Sequence, residues 1–188
     1  MLFRSLNEMM SPANMAKLQK SMMYDDERTL KTVLNGEVYS ELDSVYRQFG
    51  MNLLMMDKFK PSMVILAITF QALNKIGVKS EGVDRYFASK AVADKKTCLF
   101  LESFDEQLSF IESMGKENEN EFVSYSIRDL EEQLASFDGL IDEWKTGKSE
   151  LMLPQLLKFE MDYPEIYKTM LVERNINWIP QIEGYFKT

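Results

Sequence analysis

Stretches in which apolar residues recur every three or four positions alternate with short polar breaks along the chain, the pattern of a string of amphipathic helices. Ser11-Pro12 offers a cap followed by proline at a first helical position. Met15, Leu18 and Met22 continue on one face, which predicts a helix over about residues 12–23. Asp26 is placed to cap a second, short helix through Leu34, and Asn35-Gly36 to stop it. Val38, Leu42, Val45, Tyr46 and Phe49 mark an amphipathic helix ended by Gly50. Pro61 opens a more uniformly apolar helix to Ile76; its "SMVILAITFQAL" is expected to be the buried centre of the helical part.

From residue 82 the pattern changes. "GVDRYFASKAVADKK" reads as a turn, an Asp84 cap and a helix to about Ala93. "TCLFL", residues 97–101, reads as a strand, and "SFDE" is a Ser-x-x-Glu capping box opening the next helix. This order is a piece of an α/β unit, and the lone strand needs a partner for its backbone groups. After the polar "GKENENE" comes a long helix from about Phe122 to Trp144, then Gly147, then a helix in "ELMLPQLLKFEMDYP". The last helix starts at "PEIYKTMLVERNINW", and Pro180 is expected to break or kink it just after Asn175 and Trp178. Its apolar stripe runs Leu171, Trp178, Ile182 and Tyr185, with Asn175 in the missing place and Arg174 at the edge. Burying two such groups without partners costs about 1–3 kcal/mol each. Either a structural partner or a ligand must answer them.

Composition narrows the function classes. With 188 residues, 45% hydrophobic and 28% charged, the chain can bury one sizeable core without disulfide or metal. A Met-rich helical region, 1–80, and a helix-strand-helix with long helices, 81–188, are expected to form one domain. Residues 101–150 carry 14 acidic and 4 basic side chains, which read as a solvated helix face ahead of an acidic docking site and disfavour nucleic acid as a partner. The apolar runs are too short for a membrane span, and "MLFRSLNEMM" has no secretory pattern. Cys98 has no partner for a disulfide within the chain, and its apolar neighbours suggest a buried thiol. Ten of the 14 methionines lie in residues 1–63, where they either fill a core or line an adaptable groove for peptide. There is no histidine, which excludes imidazole-dependent catalysis and the usual zinc sites within these residues.

Four segments in order, "EGVDRYF", "LFLESFDEQLSFI", "LIDEWKTGKSELM" and "YKTMLVERNINWIPQI", resemble the middle of TraB/GumN proteins. That group includes the Tiki peptidases and is more distantly related to erythromycin-esterase-like and ChaN-like proteins. "KFKPSMVILAI" is similar, more weakly, to the family's Lys-Pro-Trp segment. Ser103, Lys148 and Ser62 stand where the family usually has Thr, Asp and Trp. The resemblance implies a fold class that is mainly α with a minor β component, the helical interior of an α/β fold of the erythromycin-esterase and ChaN-like kind. It also implies a longer parent protein, outside the cytoplasm of a bacterium, with a divalent metal held by two Gly-x-x-His motifs that this chain lacks. No cofactor is expected in the chain itself.

By the resemblance, Arg174 stabilises a carboxylate or oxyanion, Asn175 positions substrate, and Glu102 serves as metal ligand or general base. Gln107 and Asp84 support them from behind. Local physics offers other readings beside these. Glu102 can simply place charge near a helix N-terminus, Asp84 can be a cap, Arg174 can pair with Glu102 or Asp84, and Trp178 can be core. Two functions stay open: the helical part of a metal-dependent hydrolase or peptidase, inactive alone, or a helical interaction or regulatory module that binds peptide or self-associates. A small-ligand carrier has only the Arg174-Asn175 pair behind it.

Overall fold

The computed structural model describes residues 11–78, 82–148, 150 and 152–187. It divides into two compact units, Met1–Asp129 and Leu130–Thr188.

In the first unit, Ser11 caps helix α1 (Pro12–Met22) by accepting from the Asn14 amide, with proline at the first helical position as expected. The next helix, α2 (Leu30–Val33), is capped by Thr29 and not by Asp26. Asp26 turns instead to the Arg28 guanidinium at 2.8 Å, so the loop and not the helix uses that carboxylate. Asn35-Gly36 ends α2 and also begins α3 (Gly36–Gln48), because the Asn35 side chain accepts from the Val38 amide. A 3₁₀ turn (Leu53–Met56) leads to α4 (Pro61–Lys75), followed by α5 (Val83–Ala93), α6 (Phe104–Ser113) and α7 (Glu119–Thr146).

The core is the set of faces that the periodicity marked. Val38, Leu42, Val45 and Tyr46 of α3 are buried, as are Met63, Val64, Ile68 and Ala72 of α4. Leu30, Leu34 and Leu53 complete this centre, and Leu108, Phe122, Val123 and Ile127 add the faces of α6 and the start of α7. Helix α6 packs on α1 and α4, and Lys17 of α1 reaches Asp105 at 2.7 Å. At the middle of this core the Tyr46 hydroxyl donates to the Val64 carbonyl at 2.7 Å.

Residues 97–101 form no strand; they run without regular structure into α6. Among the described residues there is no strand for them to pair with, and the only bridge is an isolated one between Met23 and Phe59. The described chain is therefore mainly α. Helix α5 begins after Gly82, so Asp84 lies inside its first turn and is not the cap. Cys98, expected to be buried, is half-buried in the irregular segment.

The second unit contains the end of α7, helix α8 (Met152–Asp162), the single turn α9 (Pro164–Tyr167), a π-helical turn (Lys168–Glu173) and α10 (Arg174–Tyr185). Gly147, with φ +71, ends α7 in a left-handed conformation that lets the Lys148 amide reach the Glu143 carbonyl at 3.0 Å. Lys158 meets Glu132 at 2.7 Å and Gln155 donates to the Ser136 hydroxyl at 3.3 Å. Pro180 does not break the last helix, which runs on to Tyr185. The irregularity sits one turn earlier, in the π-helical turn whose wider hydrogen-bond spacing reorients the chain before Arg174.

Two tests of the core follow. Gly115 has φ +72, and a Cβ there would lie 2.5–2.8 Å from Phe122 side-chain carbons; at Gly50, also φ +72, it would meet nothing within 4 Å. Gly50→Ala should cost only the left-handed backbone penalty, about 1–2 kcal/mol. Gly115→Ala should cost that plus about 1–3 kcal/mol of overpacking, measured by urea unfolding. Burial raises the Tyr46 phenol well above its ordinary value of 10.0. A raised pKa means that the folded state holds the proton more tightly, so this contribution is complete below pH 10 and declines as pH rises above it. Tyr46→Phe should lower stability by about 1–2 kcal/mol at neutral pH. It should also make unfolding less sensitive to alkali above the phenol range.

Candidate functional site

The residues singled out from sequence fall into two local groups. In the first unit, Glu102 is half-buried directly before the Ser103 cap of α6. Ser103 and Glu106 form the expected reciprocal box: the Glu106 amide donates to the Ser103 hydroxyl at 3.2 Å, and the Ser103 amide to the Glu106 carboxylate at 2.7 Å. Those hydrogen bonds from Ser103 hold the Glu106 carboxyl below its usual range. Glu106 is thereby committed to the helix start.

One turn further on, Gln107 is buried, and its Nε2 donates to the Glu102 carboxylate at 3.3 Å. Its Oε1 is buried without a hydrogen-bond partner. This hydrogen bond places one carboxylate beside one buried, unpartnered amide oxygen. That is a short donor set for a metal ion, which needs several oxygen ligands. Among the described residues no three His, Cys, Asp or Glu side chains converge to hold one.

In the second unit, the π-helical turn delivers Arg174 to the start of α10. Its guanidinium lies over the Trp178 ring, 5.2 Å from the centroid, and Nη1 reaches the Met170 carbonyl at 3.5 Å. A cation on the edge of an apolar stripe is answered by an aromatic face, which sequence spacing at four residues apart permits. Asn175 is exposed, so its carboxamide is open to solvent. Trp178 is half-buried, and its Nε1 is buried without a hydrogen-bond partner. The rest of the stripe, Ile182 and Tyr185, is exposed.

A further feature of the first unit was not visible in the sequence. A cavity of about 220 Å³ opens at the N-terminus of α4, lined among others by Tyr24, Arg28, Lys60, Ser62, Glu112 and Lys116. Backbone pairing builds it: the Tyr24 amide donates to the Lys58 carbonyl, and the Lys60 amide to the Met22 carbonyl, each at 2.9 Å. These bonds hold the loop after α1 against the residues that precede α4. Arg28 lies over the Tyr24 ring at 4.6 Å, and Lys60 meets Glu112 of α6 at 3.1 Å. Pro61 made the helix start legible, but nothing in the spacing brings Tyr24 and Lys116 to one place.

No helix among the described residues is long and apolar enough to cross a membrane. No curated protein and no solved structure matches the chain significantly. Comparison with models of protein families gives a match over residues 5–188 to the TraB/PrgY/gumN family. That match covers the four segments that carry the resemblance and extends through the Met-rich N-terminal region that resembled it only weakly. The chain belongs to the TraB/PrgY/gumN family.

Proposed function

We propose that the chain is the helical, substrate-positioning part of a TraB/GumN-type metal-dependent hydrolase that acts on peptides, and that these residues alone do not catalyse. One observation carries the reading: 188 residues that match the family from position 5 to 188 contain no histidine. Imidazole is the ligand type that the family resemblance assigns to the metal. A metal supplied by other segments would polarise a scissile carbonyl and activate water.

The roles left to this chain are binding and orientation. Arg174, held by the Trp178 ring, offers a guanidinium to a carboxylate or oxyanion, and the exposed Asn175 carboxamide can donate beside it. Glu102, steadied by Gln107, offers an acceptor to a proton or an ammonium group.

The exposed apolar surface of the second unit favours a second reading, an interaction module. Met152, Leu153, Leu156, Leu157 and Met161 of α8 are all exposed, Met161 at 81%. Ile176, Ile179 and Ile182 of α10 are also exposed. Contiguous apolar exposure of this kind marks surfaces that meet a partner.

The two readings separate experimentally. The purified chain, given zinc or manganese and a mixture of unstructured peptides, should release no fragments by mass spectrometry; metal-dependent cleavage would overturn the claim of inactivity. In the native protein carrying the Gly-x-x-His segments, Arg174→Gln should lower kcat/KM by about 100-fold, the scale of one lost oxyanion donor. An unchanged value would remove Arg174 from the chemistry. Under the interaction reading, sedimentation should instead show a concentration-dependent dimer or a captured peptide, abolished by Leu156→Glu.

A further inference from the structure

Helix α8 turns its polar side toward its neighbour. Gln155 and Lys158, three positions apart, both meet α7: Gln155 donates to the Ser136 hydroxyl at 3.3 Å, and Lys158 pairs with Glu132 at 2.7 Å. A helix that presents this side inward presents the opposite side to solvent, and on α8 the opposite side is the apolar one. Leu153, Leu156 and Leu157 form a stripe that Met152 and Met161 extend, and each of the five is at least 41% exposed. Not one residue of α8 is buried. The same holds for α9, the π-helical turn and α10. Since helices in proteins draw most of their stability from burying such a stripe, this one is left for something beyond the unit's own described residues.

Charge indicates what covers it. The next place in the stripe, one heptad on from Leu153, is taken by Glu160. Glu160 is exposed and makes no ion pair among the described residues, and the same is true of Asp162 and Glu165 just beyond it. Lys158 is the only cation in the α8 sequence, and Glu132 already holds it. Covering the stripe with hydrocarbon alone would strip Glu160 of water and leave its carboxylate unpaired. A partner with lysine or arginine set beside its apolar residues answers both parts of the face. A second copy of α8 would instead set Glu160, Asp162 and Glu165 against like charges, and an anionic lipid surface would repel them. The methionines at the two ends of the stripe can adapt to the partner's shape.

We propose that the outward face of α8 is a docking surface for a basic amphipathic helix of another protein. Leu153, Leu156 and Leu157 receive its apolar side chains, and Glu160 pairs with a lysine or arginine beside them. This rests on the interaction reading above and adds to it the shape and charge of the partner. The surface lies within the second unit.

Two fluorescent helical peptides, each about four turns long, test the assignment. Both carry leucine at helical spacing on one face; the remaining positions are lysine in one and glutamate in the other. By fluorescence anisotropy the purified chain should bind the lysine peptide saturably, one per chain, and not the glutamate peptide. Glu160→Lys should weaken that binding by about tenfold. Glu37→Lys, the same change of net charge on an exposed residue of α3, should leave it unaltered. Because Glu160 is itself exposed, its replacement probes the surface without disturbing packing. Equal binding of both peptides, or an equal loss with Glu37→Lys, would overturn the basic partner while leaving the interaction reading in place. Neither peptide bound, with a concentration-dependent dimer in sedimentation, would replace the partner by a second copy. Neither peptide bound and a monomer at every concentration would remove the interaction reading itself.

Discussion

One constraint organises the first unit: the apolar face of α4 must be covered, while Phe70 and Gln71 on its other side stay exposed. Its Val64, Ile68 and Ala72 are essentially sealed from solvent, and a face so enclosed can tolerate a buried polar group only if that group is satisfied. The Tyr46 hydroxyl meets that condition by closing on the Val64 carbonyl, which ties α3 to α4 by direction as well as by packing. Hydrophobic burial alone would let the two helices slide; a hydroxyl aimed at one carbonyl fixes their register. From that fixed pair the loop at Tyr24 and the helix α6 take their positions. The cavity beside Ser62 is left where the covering elements meet the end of the helix.

The amphipathic faces were legible before any coordinates, because burial acts on every third or fourth residue and so writes itself into the sequence. Val38, Leu42, Val45 and Tyr46 were marked by spacing, and Ser11, Asn35 and Ser103 by their capping chemistry. The misreadings share a cause. Thr97 to Leu101 have the composition of a strand, but a strand forms only against a second one, and among the described residues there is none beside it. Asp26 was a better cap on paper than Thr29; Arg28 two residues away claimed it. Pro180 does not end the last helix, because proline removes one hydrogen bond and the helix absorbs that loss near its end.

The candidate site was legible in its members and not in their company. Arg174 was recognised as out of place, and its answer, the Trp178 ring, lay four residues along the same helix. The link between Gln107 and Glu102 is likewise local and could have been drawn from spacing. The cavity lining could not, since Tyr24, Ser62 and Lys116 are brought together only by backbone hydrogen bonds between loops that carry no periodic signal.

The π-helical turn at Lys168–Glu173 has a bearing on how the family's sequences should be aligned. Such a turn is the local accommodation of one surplus residue, and each residue in a regular helix advances the side-chain direction by about 100°. A relative lacking one residue in this stretch would carry an unbroken α-helix, with its Arg-Asn pair rotated by that angle against the preceding turn. Sequence identity at Arg174 and Asn175 would then conceal a difference in where the pair points, and a single-residue gap becomes the feature by which members with different working faces can be told apart.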